Sequence, residues 1–165
     1  MTTRMLLLAD THVPKRAKRL PDAVLRAIDD ADIVVHAGDW VDLATVELLQ
    51  ARARVLHGVH GNNDGPEIRQ VLPEIARFTV EDTAVAVIHE TGTATGRERR
   101  MDLAFPDADV LVFGHSHIPW DTVTPNGLRL LNPGSPTDRR RQPVHTMMRV
   151  DIDGRNVEAT LVPVA

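Results

Sequence analysis

Met5-Leu6-Leu7-Leu8-Ala9-Asp10-Thr11-His12 runs from unbroken apolar residues straight into a carboxylate and an imidazole. Residues 4–9 are too few for a helix and predict a buried strand that ends at Asp10. Side chains alternate with a period of two in extended chain, so Asp10 and His12 fall on one side of it.

The same grammar repeats downstream. Leu20-Pro21-Asp22 opens a helix with Val24, Leu25 and Ile28 on one face. Ile33-Val34-Val35 predicts a second strand, stopped by Ala37-Gly38-Asp39. Asp42 is placed to cap a helix bearing Leu43, Val46, Leu49 and Ala53. Residues 54–59 predict a third strand, ended by Gly61-Asn62-Asn63-Asp64-Gly65, and Pro66 starts a short helix.

After Pro73 the pattern turns to strands. Residues 75–80 and 83–88 form a hairpin about Glu81-Asp82, and polar residues 90–100 form a loop before a short helix. Residues 109–113 predict a strand ending at Gly114. Pro125-Asn126-Gly127 and Asp153-Gly154 mark two further hairpins. Alternating strand and helix followed by hairpins implies an α/β class with a second, strand-rich sheet. No repeat or linker divides residues 1–165, so one domain is expected.

Composition narrows the function. With no cysteine, disulfides, thiolate metal sites and a cysteine nucleophile are excluded. A formal charge of −4 disfavours a dedicated nucleic-acid binder. The apolar stretch before Asp10 is too short for a signal-peptide core or a membrane span, so a cytoplasmic protein is expected.

Five predicted strands end in polar clusters: Asp10-Thr11-His12, Gly38-Asp39, Gly61-Asn62-Asn63-Asp64, His89, and Gly114-His115-Ser116-His117. Ligands of α/β sheets collect outside the carboxyl ends of strands. Carboxylate, imidazole and amide oxygen without thiolate suit Mn, Fe, Zn, Co or Mg. A lone Asp or His at a strand end is more often a cap or a packing residue; the ordered set is what points to metal.

That set, D-x-H, G-D, G-N-x-D, H and G-H-x-H, resembles the calcineurin-like metallophosphoesterase superfamily. Gly114-His115-Ser116-His117-Ile118-Pro119 and Asn132-Pro133-Gly134-Ser135 resemble its small bacterial YfcE-type phosphodiesterases. The resemblance implies a four-layer α/β/β/α sandwich of two mixed sheets flanked by helices. It implies two divalent ions, manganese first, with Fe, Zn, Co, Ni or Mg also compatible. Asp10, His12, Asp39 and His117 would hold one ion; Asp39, Asn62, His89 and His115 would hold the other, with Asp39 bridging. A hydroxide between the ions would attack a small phosphodiester in line. Similar enzymes form homodimers or homotetramers.

The chain departs from the family pattern twice. Asn63 stands where many members carry a histidine that serves the leaving group. An amide can bind phosphate but cannot deliver a proton, so diesters with good leaving groups are expected over monoesters. His60 or Asp64 is then the candidate acid. Glu90 follows His89 where glycine is usual. His36 and His57 are expected in packing. Asn132 to Ser135 is expected to support the site. Of three basic runs, Lys15/Arg16/Lys18/Arg19 is the best placed to attract an anionic ester; Arg97/Arg99/Arg100 and Arg139/Arg140/Arg141 are the others. A protein-interaction scaffold on the same fold is the rival function.

Overall fold

A computed structural model describes residues 1–165. Strand and helix alternate first: β1 (Thr2–Leu8), α1 (Asp22–Asp30), β2 (Ile33–His36), α2 (Leu43–Arg52), β3 (Leu56–Gly58) and α3 (Pro66–Val71). Then come β4 (Ile75–Val80), β5 (Thr83–Ile88), α4 (Arg97–Ala104), β6 (Val110–Val112), β7 (Trp120–Val123), β8 (Arg129–Asn132), β9 (His145–Asp153) and β10 (Asn156–Val164). They build two mixed five-stranded sheets, ordered β10-β9-β1-β2-β3 and β4-β5-β6-β8-β7.

The period of two along each strand separates the cores. Met5 and Leu7 of β1, Val35 of β2, Val85 and Val87 of β5, Val110 and Val112 of β6, and Val150 of β9 meet between the sheets. Their neighbours point outward. Leu6, Leu8 and Val34 pack under α1, α2 and α3 through Val24, Ile28, Val46, Leu49 and Ile68. Ala86, Leu111 and Leu130 pack under α4 through Met101, with Phe105 and Phe113. Three cores in sequence define four layers, helix, sheet, sheet, helix, as the resemblance implies.

Asp42 caps α2, its carboxylate accepting from the Ala44 amide at 2.9 Å. The expected loop over 90–100 is shorter than the sequence predicts, because α4 begins at Arg97. Its first turn has little apolar content, yet it is anchored. The buried Arg97 guanidinium lies 4.8 Å from the Phe113 ring and 4.5 Å from the Trp120 ring. The third strand is also shorter than expected, covering Leu56–Gly58.

Candidate metal centre

β1, β2 and β3 run parallel, as do β5, β6 and β8, so each sheet has three carboxyl strand ends on one edge. Asp10 and His12 follow β1, Asp39 follows β2, Asn62 follows β3, His89 follows β5, and His115 and His117 follow β6. Backbone bonds knit these ends together. The Asp10 amide donates to Gly38 O at 2.9 Å, and the Gly114 amide to His89 O at 3.0 Å. The His115 amide donates to Asp10 Oδ2 at 3.0 Å, joining the two sheets.

The sequence gives no warning of the backbone conformation there. Asp10, His12, Asp39, His115 and His117 have φ of 55°, 44°, 62°, 75° and 62°. Side chains rarely tolerate this left-handed region, and each such residue costs about 1–3 kcal/mol. Strain of this kind collects at functional sites. Two glycines make the close approach possible. A Cβ on Gly38 (φ 99°) would lie 2.8 Å from His89 Nδ1, and one on Gly61 would overlap the Asp39 carboxylate.

The side chains form two groups whose ligand atoms lie within 4.8 Å of one another: Asp10, His12 and His117, and Asp39, His89 and His115. Asp39 lies between them, its Oδ2 being 3.5 Å from His12 Nε2 and 3.4 Å from His89 Nε2. Asn62 Oδ1 is 2.9 Å from His89 Nε2 and 3.1 Å from His115 Nδ1. All seven residues expected as ligands are thus drawn to one place.

Hydrogen bonding tests whether a cation fits. The Nδ1 of His89 donates to Ala37 O at 2.7 Å, and that of His117 donates to Asp138 O at 2.5 Å. With Nδ1 so committed, each ring turns its Nε2 inward, the orientation metal-binding histidines adopt. Asp10 Oδ1, His12 Nε2 and His117 Nε2 are buried with no hydrogen-bond partner. Orphaned buried polar atoms are rare and unfavourable; here three face one another, as a cation's ligands would.

The charges are tuned by their surroundings. Burial pushes Asp10 up to about 8 and His117 down to about 4. Burial also opposes ionisation of Asp39. Hydrogen bonds from His89 and Asn63 and the His89 charge overcome it and hold that carboxyl well below the usual range.

Asn63 does not reach into free space. Its amide nitrogen donates to Asp39 Oδ1 at 2.9 Å and its side chain to Oδ2 at 2.8 Å, so it steadies Asp39. Asp64 was expected as a candidate acid. It is buried, and its carboxylate accepts from the Asp39, Gly61 and Val41 amides at 2.9, 2.7 and 2.7 Å. Both oxygens are committed as acceptors, so Asp64 shapes the loops. His60 borders a cavity of about 190 Å³ with Asn62 and His89; burial, then the Arg69 charge, lower its pKa. Glu90 Oε1 is 3.6 Å from His115 Nε2, on the far side of that ring from Asn62.

The Asn132–Ser135 turn was expected to support the site; Thr137 beside it was not singled out by sequence. Ser135 Oγ donates to Asp10 O at 2.8 Å and Thr137 Oγ1 to Thr11 O at 2.6 Å, so the Asn132–Ser135 turn holds the first ligand loop. The dense hydroxyl and carboxyl run Ser135-Pro136-Thr137-Asp138 was the available signal. His36 is buried and stacked on Trp40 with ring centroids 3.6 Å apart; its Nδ1 accepts from the Gly38 amide, and it bonds Thr11 Oγ1 at 3.1 Å. His57 stacks on Phe78 between the sheets.

A layered α/β sandwich with acid–imidazole clusters at its converging strand ends defines a metallophosphoesterase-type protein. Residues 3–155 match the model of the calcineurin-like phosphoesterase superfamily domain. The chain is 33% identical over 161 residues to a probable metallophosphoesterase of Methanothermobacter thermautotrophicus, covering 94% of this chain and 90% of that one. It is 35% identical to the Thermotoga maritima protein TM1076, with a TM-score of 0.77 and coverage of 98% and 99%. A zinc complex of Vps29 from Entamoeba histolytica shares the fold, at a TM-score of 0.78 and 23% identity over 98% and 99% of the chains. The chain belongs to the calcineurin-like phosphoesterase superfamily. No helix is long and apolar enough to cross a membrane.

Proposed function

We propose that residues 1–165 act as one domain, a dinuclear metal-dependent phosphodiesterase acting on a small substrate in the cytoplasm. The observation that carries this reading is the pair of ligand groups with three buried, unpartnered atoms facing one another. Asp10, His12, Asp39 and His117 would hold one cation, and Asp39, Asn62, His89 and His115 the other. Manganese is the first metal to try; the zinc complex of the Entamoeba relative makes zinc the second. Two divalent cations so held would supply an activated water for attack on phosphorus and neutralise charge as it develops.

The protein's own residues set the frame. Asn63 and the Asp39 amide's bond to Asp64 fix the Asp39 carboxylate, which would contact both cations. Ala37 O and Asp138 O fix two imidazoles with Nε2 turned inward. An in-line displacement forms a bond from water oxygen to phosphorus and breaks a phosphorus–oxygen ester bond. The departing oxygen needs a proton or must be stable as an anion. Neither Asn63 nor Asp64 can donate, and His60 is the remaining candidate, which favours diesters with good leaving groups over monoesters.

Metal analysis and turnover of bis(4-nitrophenyl) phosphate by manganese-loaded protein test this. Turnover should need added metal, exceed that of 4-nitrophenyl phosphate, and fall at least about a hundredfold in Asp39→Asn. The interaction-scaffold reading gains from the likeness to Vps29. It would prevail if metal-loaded protein hydrolysed neither compound.

A further inference from the structure

Three basic runs meet different fates in the fold. Arg97 is buried between two aromatic rings, and Arg100 donates to the carbonyls of Thr91, Thr93 and Thr95. That run braces the segment after His89. The other two converge. Lys15 and Arg16, from the loop after β1, and Arg140, from the loop after β8, line one cavity of about 240 Å³ together with His12, Asn63 and Asp138.

Two of those residues tie the cavity to the metal centre: His12 is a ligand in the reading above, and Asn63 holds Asp39. The walls are fixed by backbone. Val13 pairs with Val41, the His12 amide donates to Asp39 O at 3.2 Å, and the Arg16 amide donates to His12 O at 2.8 Å. Within the cavity only Arg16 has a carboxylate partner, Asp138 at 3.5 Å. Lys15 and Arg140 have none in ion-pair reach, leaving an excess of positive charge beside the centre.

The opposite flank differs. The cavity of about 190 Å³ beside His89 contains Glu74 and Glu90, and its one guanidinium, Arg69, donates to Asp64 O and Gly61 O at 2.8 and 3.0 Å. An anionic arm is repelled on that side and welcomed on the other. Guanidinium and ammonium groups together match the geometry and charge of a phosphate.

We propose that the substrate is an asymmetric phosphodiester carrying a second phosphate on one arm, and that Lys15, Arg16 and Arg140 receive that phosphate while the scissile one occupies the metal centre. The inference rests on the phosphodiesterase reading and names the substrate class of the same site. The uncharged arm lies toward His60 and Glu90.

A matched pair of substrates isolates the effect. Thymidine 5′-(4-nitrophenyl phosphate) and its 3′-phosphorylated counterpart share one reacting diester and differ only in the distal phosphate. Manganese-loaded protein should show a kcat/KM at least about tenfold higher for the phosphorylated compound, carried by KM and eroded by salt. In Lys15→Gln/Arg140→Gln the ratio should fall to about one, whereas Arg155→Gln, a charge removed from the β9–β10 turn, should keep it. Calorimetry gives a second readout: thymidine 3′,5′-bisphosphate should bind at least about tenfold tighter than thymidine 5′-monophosphate, and the double variant should lose the difference.

A ratio near one in the unmodified protein, or one that survives the double variant, overturns the proposal while metal-dependent turnover stands. If neither compound is hydrolysed, the phosphodiesterase reading fails on its own, and the calorimetric ratio still decides the cavity.

Discussion

His36 shows how much one side chain carries here. It separates the loops bearing Asp10 and Asp39, bonding Thr11 of one and Gly38 of the other. Burial drives its pKa down to about 3 from 6.5, with His89, Asp39 and His12 the charged groups that act on it. Below pH 6.5 the unfolded chain takes up a proton there and the folded chain does not. The stability tied to neutral His36 is therefore complete above pH 6.5 and is lost as pH falls toward 3. Urea unfolding of the unmodified protein and of His36→Gln should give a stability difference that shrinks by about 1.4 kcal/mol per pH unit below about pH 6.5. Taking the difference cancels the opposing contribution of Asp10. A pH-independent difference would mean that His36 protonates in place. At this scale the convergence of the seven side chains was legible, because residue type and spacing at strand ends carry it. The role of Asp64 was not. A carboxylate beside a site reads as an acid, and two of its three partner amides belong to loop residues distant in sequence, Asp39 and Val41. The left-handed conformations of Asp10, His12, Asp39, His115 and His117 leave no mark on composition at all.

The connection from β8 to β9 acts as a clamp on the first ligand loop. Asn132 Nδ2 donates to Gly114 O at 3.2 Å, Ser135 Oγ to Asp10 O at 2.8 Å, and Thr146 Oγ1 to Pro133 O at 2.7 Å. Ser135→Ala leaves the buried Asp10 carbonyl without that partner, and should destabilise the protein by about 1–3 kcal/mol. Denaturant midpoints measure it, and manganese affinity should fall in parallel. An unchanged midpoint would show that the hydroxyl is dispensable to the clamp. Strands and hairpins were largely readable because period-two patterning and Asn-Gly or Asp-Gly turns are local signals. The onset of α4 was not, since its first turn is held by Arg97 against Phe113 and Trp120, contacts that no helical periodicity records. Layer order was out of reach of periodicity too. Strands such as β6, apolar on both faces, do not say which face meets a sheet and which a helix.

Each ligand group draws on both sheets. Asp10 and His12 come from the β1 end and His117 from the β6 end; Asp39 comes from β2, and His89 and His115 from β5 and β6. A cation in either group would therefore fasten one sheet to the other at the strand-end edge of the interlayer core, beside Ala9 and Ala37. Binding to the folded chain alone adds stability by mass action, about 2.7 kcal/mol per site at a hundredfold excess over Kd. For a chain of this size each kcal/mol raises Tm by about 2–4 °C. Filling one site should thus raise Tm by roughly 5–10 °C. Calorimetric scans of chelator-stripped and manganese-loaded protein measure the shift, and Asp39→Asn, which weakens both groups at once, should abolish most of it. Hydrogen exchange locates it: the Asp10, Gly114 and His115 amides, which bond across the converging strand ends, should slow on loading, while the β9–β10 turn at Gly154 should not change. Equal melting of stripped and loaded protein, with no slowing at those amides, would show that the two sheets close on each other without a cation between them.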